Sequence, residues 1–290
     1  MTPQTPPRTT PRTPPADPTS STRRTLLRGT AAAATAALAT AALAPTALAP
    51  TAHAADTTPA PSDNPSRART GTPPRGPRIG ILLYDGYSLL DPTGPAEILS
   101  RVPGASVTMI AERRGPVRTD TGDVAVMAER TLDEAGRLDV LLVPGAGNRG
   151  VVAAMENRTL LRWIRHTDRR TRFTTSVCTG SLVLAATGLL DGRRATTYWA
   201  SAPYLEKTFD VTYVPERYVE SGKFLTAAGV SAGLDMALYL AARLTDEDTA
   251  RAIQLAVEYD PRPPFDAGNA QEASEELKAR ALKIVEDSQR

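Results

Sequence analysis

The chain has one cysteine, Cys178, and two histidines, His53 and His166, among 290 residues. A lone thiol forms no intramolecular disulfide and no cysteine-based zinc site. Two histidines leave a transition metal without its usual ligands, so metal catalysis is not expected. What remains for the thiol is nucleophilic chemistry. Cys178 stands in Thr174-Thr175-Ser176-Val177-Cys178-Thr179-Gly180-Ser181, between an apolar strand pattern and a helix pattern of small residues. That order matches a nucleophile elbow, a sharp strand-to-helix turn that lifts the reactive atom above a sheet. A helix N-terminus favours the thiolate, and its N–H groups can hold an anionic intermediate. The competing reading is a buried cysteine packed as a small apolar residue. His166 lies on a predicted helix before the nucleophile strand and in no motif, so a Cys–His protease pair is not expected. Asp91, in Leu89-Leu90-Asp91-Pro92, has two readings from the residues alone. It is a site carboxylate, or it is a helix cap, because Asp followed by Pro marks a helix start.

The elements that position these residues alternate. Short apolar runs at 78–84, 106–111, 124–128, 139–143 and 173–177 read as strands. Helices are expected at 96–102 (opened by Pro95), 157–170, 179–187 and 231–243, with another from Thr245 and a charged amphipathic one at 273–284. A strand-turn-strand with Ser221-Gly222 as its turn is expected between 211 and 226. Strands alternating with helices imply a mainly parallel sheet covered on both faces, with ligands collecting beyond the carboxyl ends of the strands. Three loops fall there, at 84–95, 144–150 and 178–180; the second carries the turn Pro144-Gly145-Ala146-Gly147.

The N-terminal quarter reads differently. Thr22-Arg23-Arg24-Thr25-Leu26-Leu27-Arg28 has the pattern of a twin-arginine export signal, and a weakly apolar Ala/Leu stretch follows from Gly29 to Ala49. Ala52-His53-Ala54 offers a small-x-small cleavage site, with Ala47-Leu48-Ala49 as a second choice. The expected organisation is a signal peptide over 1–54, a Pro-rich linker over 55–77, one α/β domain over 78–268 and a C-terminal helix or tail over 269–290. The protein is therefore expected to be exported, with the twin-arginine translocase as a transient partner. Formal net charge is +2, and the run Arg162, Arg165, Arg169, Arg170 and Arg172 reads as a solvated helix end rather than a nucleic-acid surface.

Three blocks carry a resemblance to a family. They are YDGYSLLDPTGPAEIL (84–99), SVCTGSLVLAATGLLDGRRATTYW (176–199) and GVSAGLDMALYLAARL (229–244), followed by EYDPRPPFDAG (258–268). Together they resemble the isonitrile hydratase branch of the ThiJ/PfpI superfamily, over roughly residues 78–268. The resemblance implies a flavodoxin-like three-layer α/β sandwich, a homodimer, a small-molecule substrate and no cofactor. It makes Cys178 the nucleophile, Asp91 its acid and Thr179 a required neighbour. It also places the N–H groups of Gly145 and Ala146 toward the nucleophile, with Ala146 where relatives often carry a second glycine. Hydrolase-like members follow the nucleophile with His, where this chain has Thr179. Many carry another His where this chain has Tyr198, and Tyr198 and Trp199 are expected to line the pocket. The implied reaction is cysteine-dependent hydration of an isonitrile to an N-substituted formamide. The alternative is a ligand- or redox-sensing domain without turnover, as in AraC-type regulators, although nothing after Phe265 resembles a helix-turn-helix pair. Aldehyde-directed chemistry, a third reading, lacks its usual His.

Overall fold

The computed structural model describes residues 76–289. The expected export signal over 1–54, and residues 55–75 of the lead-in, lie outside the described residues. In chain order the strands are β1 (Arg78–Leu82), β2 (Ser106–Ala111), β3 (Gly115–Arg118), β4 (Ala125–Ala128), β5 (Arg130–Thr131), β6 (Val140–Val143), β7 (Phe173–Val177), β8 (Arg193–Ala195), β9 (Val211–Tyr213), β10 (Tyr218–Ser221) and β11 (Phe224–Ala227). The helices are α1 (Leu90–Leu99), α2 (Asn148–Glu156), α3 (Arg158–Asp168), α4 (Gly180–Ala186), α5 (Ala202–Thr208), α6 (Ala232–Leu244), α7 (Glu247–Ala256) and α8 (Glu275–Ser288), with a short 3₁₀ turn at Trp199–Ser201 before α5.

Seven strands form one sheet in the order β10-β11-β7-β6-β1-β2-β5. All its pairings are parallel except the edge hairpin β10–β11. The continuous apolar runs of β1 and β6 follow from this, because such strands are covered on both faces. On one face Leu82, Leu141 and Val143 meet Leu160, Ile164 and Val183 of α3 and α4. On the other, Ile81, Leu142 and Val177 meet Ile98, Met236 and Leu240 of α1 and α6. The result is the flavodoxin-like three-layer sandwich, with the carboxyl ends of β1, β6 and β7 side by side.

Four elements differ from the sequence expectation. Helix α1 begins at Leu90, not Ala96, so Pro95 lies inside it. Pro92 falls in the first turn, where backbone N–H groups have no intrahelical partner and a proline removes nothing. Pro95 does remove one bond, and packing on α6 compensates: Gly233 leaves room for its ring, and Gly94 lies against Leu234. The strand expected at 124–128 does not join the main sheet; β4 pairs antiparallel with β3 in a separate hairpin. Residues 148–150, expected as loop, open α2. Finally, β9 pairs with β8, and the hairpin is β10–β11, turned through Gly222 at φ 66°.

Candidate active site

Cys178 occupies the two-residue gap between β7 and α4, at φ 55°. This left-handed backbone is strained for a residue with a Cβ and persists only where its surroundings over-determine it. They do so here. The Cys178 N–H donates to the carbonyls of Ala227 (3.0 Å) and Ala228 (2.7 Å). Its own carbonyl accepts from the hydroxyls of Ser181 (3.1 Å) and Thr197 (3.2 Å). A Cβ on Gly180 would come within 2.2 Å of the Val143 carbonyl oxygen, so only glycine lets the chain turn this close to β6. The sulfur is enclosed: Cys178 is 5% exposed.

Asp91 comes in from α1. It does not cap that helix, whose N-cap position is Leu89 and has no side-chain cap bond. Its carboxylate instead accepts the Gly145 N–H at Oδ2 (2.7 Å), while Oδ1 is buried without a hydrogen-bond partner. Gly145 shows how tightly the parts converge. A Cβ there would lie 2.7 Å from the Thr179 nitrogen and 2.8 Å from both Asp91 Oδ2 and Cys178 Cβ. Thr179 ties the elbow to the same turn: its Oγ1 accepts from Ala146 N–H (2.9 Å) and donates to the Ala146 carbonyl (3.0 Å). The N–H groups of Gly145 and Ala146, which the resemblance turned toward the nucleophile, thus already have acceptors, Asp91 and Thr179.

Electrostatics follow from enclosure. Burial raises the Asp91 carboxyl to a pKa of about 7; the Gly145 N–H pulls it down in part and the Asp120 charge pushes it up. Burial also pushes the Cys178 thiol well above its ordinary value, and the nearby Asp91 charge adds to this. The N–H and hydroxyl of Thr179 offset only part of that rise. A helix N-terminus alone leads one to expect a lowered thiol pKa; here the direction is upward, with desolvation the largest cause. The enclosure therefore favours the neutral thiol of Cys178.

Tyr198 borders the thiol: burial first, then the Cys178 charge, raises its phenol, with the Trp199 indole offsetting part. The two rings stand 5.5 Å apart, which puts Trp199 beside Tyr198. His166 is elsewhere, lining a cavity of about 330 Å³ with Trp163 and Arg170 at the amino ends of β6 and β7. Two residues were not singled out from sequence. Tyr84, whose hydroxyl donates to the Pro144 carbonyl (2.6 Å), sits just past β1 in a loop already placed at the ligand end of the sheet, so its position was a usable signal. Asp120, held by the Ser88 hydroxyl (3.0 Å), follows β3, a strand whose Gly-Pro start hides it.

A parallel sheet with a strained cysteine elbow, a buried carboxyl and a glycine turn defines an α/β protein built around an enclosed thiol–carboxyl pair. The chain belongs to the DJ-1/PfpI family, whose model matches residues 77–243. It is 42% identical over 192 residues to an isonitrile hydratase of Pseudomonas putida, a match covering 66% of this chain and 82% of that protein. It is 33% identical over 147 residues to the transcriptional regulator CdhR of Pseudomonas aeruginosa, covering 50% of this chain and 40% of the regulator. Among solved structures, a ThiJ/PfpI family protein from Pseudomonas syringae superposes with a TM-score of 0.69 at 32% identity, covering 78% of this chain and 93% of that one.

Proposed function

We propose that the chain hydrates isonitriles to N-substituted formamides, with Cys178 as nucleophile and Asp91 as proton carrier. The observation that carries this reading is the buried Asp91 carboxyl, whose Oδ1 has no hydrogen-bond partner and whose Oδ2 and Cys178 Cβ each lie 2.8 Å from where a Gly145 Cβ would be. Similarity to the Pseudomonas putida isonitrile hydratase supports it.

The protons balance. An isonitrile, R–N≡C, carries a lone pair on carbon and becomes electrophilic there once protonated. Asp91 takes the thiol proton and passes it to that carbon as the sulfur bonds to it, giving the thioimidate R–N=CH–S–Cys178. Water adds to the same carbon, Asp91 accepts its proton, and the nitrogen gains one. The C–S bond then breaks, sulfur regains a proton, and R–NH–CHO leaves. An apolar substrate thus meets a neutral thiol, in keeping with the thiol's raised pKa. The working pair carries one proton, so kcat/KM should rise as Asp91 ionises near pH 7 and fall only above the ordinary thiol range. Turnover of cyclohexyl isocyanide, followed as formamide, tests the reading: wild type should be active and Cys178→Ser inert. An active serine variant would sink it.

The similarity to CdhR favours a second reading, a sensing domain without turnover. Ligand binding with no formamide from wild type would select it. We further propose that residues 1–54 direct twin-arginine export and that the mature chain is a homodimer.

A further inference from the structure

Two bonds grip opposite ends of one peptide unit. The Pro144 carbonyl accepts the Tyr84 hydroxyl at 2.6 Å, and the N–H of the following residue, Gly145, donates to Asp91 Oδ2 at 2.7 Å. The carbonyl and the N–H belong to the same rigid plane. A donor on the oxygen withdraws electron density through the amide and strengthens the N–H as a donor, as in any hydrogen-bond chain. It also fixes the plane's rotation. The elbow backbone packs close against this peptide at Gly180, where an added Cβ would come within 2.8 Å of the Pro144 carbonyl.

We infer that Tyr84 is a positioning residue that sets the proton affinity of Asp91 through the Pro144–Gly145 peptide. Tyr84 suits the task. Its phenol is held well above its ordinary pKa by burial and by the Asp91 and Cys178 charges, so it remains protonated across the working range. Its single O–H has a single acceptor, the Pro144 carbonyl. Its hydrogen bond goes to the Pro144 carbonyl and not to Asp91 or Cys178, so it acts at one remove on a carboxylate that is otherwise desolvated. The titratable groups acting on Asp91 are Cys178 at the elbow, Asp120 after β3 and Tyr84 itself. Of the neighbouring interactions the Gly145 N–H stabilises the ionised form, so weakening it raises the Asp91 pKa.

This inference rests on Asp91 as the titrating acid, and one readout is independent of turnover. In the full chain labelled with carboxyl-¹³C aspartate, the resonance missing from Asp91→Asn reports that carboxyl alone. Tyr84→Phe should move its titration upward by about half a pH unit or more, with the acid limb of kcat/KM following. Tyr84→3-fluorotyrosine keeps the hydroxyl and the fold while making it a stronger donor, and should move the titration downward. If Asp91 titrates alike in all three proteins, or moves the same way in both variants, the inference is overturned. Failure of wild type to hydrate isonitriles would overturn the proposed function and leave the NMR result to judge Tyr84 alone.

Discussion

Asp91 holds a position that opposes folding. Keeping its carboxyl at about 7 instead of the ordinary 3.8 disfavours the ionised form in the folded state. The sign follows: no penalty below about pH 4, a growing one as pH rises toward 7, and a constant one on the order of 4 kcal/mol beyond. Asp91→Asn should therefore raise the melting temperature at pH 8, not lower it, while removing most turnover. A helix cap would give the reverse, a less stable protein that keeps its activity. Calorimetry and an isonitrile assay on the same sample separate the two. Tyr198 is a smaller matter. Among the described residues the site has no imidazole; if the Tyr198 phenol contributes one hydrogen bond to the substrate, Tyr198→Phe should cost at most about tenfold in rate. A thousandfold loss would make Tyr198 an acid in its own right and displace Asp91.

At the scale of elements, the site is a junction of three chain turns clipped together by short contacts. Thr179 binds the elbow to the glycine turn, so Thr179→Val would leave the Ala146 N–H and carbonyl buried without partners. That should destabilise the domain by about 1–3 kcal/mol in denaturant unfolding and reduce turnover together with it. Loss of activity at unchanged stability would instead give the hydroxyl a direct part in the chemistry. Gly145→Ala should abolish activity at any pH, because the added methyl would enter contact with Asp91, Cys178 and Thr179 at once. The elbow was legible from sequence because an apolar strand, a cysteine and a small-residue helix follow one another without a gap. The place of Asp91 was legible only in part. Leu89 to Pro95 carries helix-stopping residues, which hid a helix that packing on α6 supports. The thiol's protonation was not legible at all. It depends on how completely α1, β6 and the turn after it close over the sulfur, and no spacing in the chain records that.

For the molecule as a whole, the alternation of strands and helices was enough to give a parallel sheet with its site above β1, β6 and β7. Strands β3 and β8, the partners of β4 and β9, were missed because short strands rich in Gly, Pro and Arg have no periodicity to read. The proteins this chain resembles include an isonitrile hydratase and a transcriptional regulator, and fold alone does not divide them. Replacing Arg23 and Arg24 by Lys should trap uncleaved precursor inside the cell, seen as the larger band on an immunoblot; normal export would remove the twin-arginine reading. What separates a hydratase from a sensor is a covalent event at one sulfur. The direct measurement is a rapid-quench mass spectrum of the protein mixed with cyclohexyl isocyanide. The account predicts one isocyanide added to Cys178 within the first turnover, decaying as N-cyclohexylformamide appears. Formamide formed while Cys178 stays unmodified and can be replaced by Ser would contradict it.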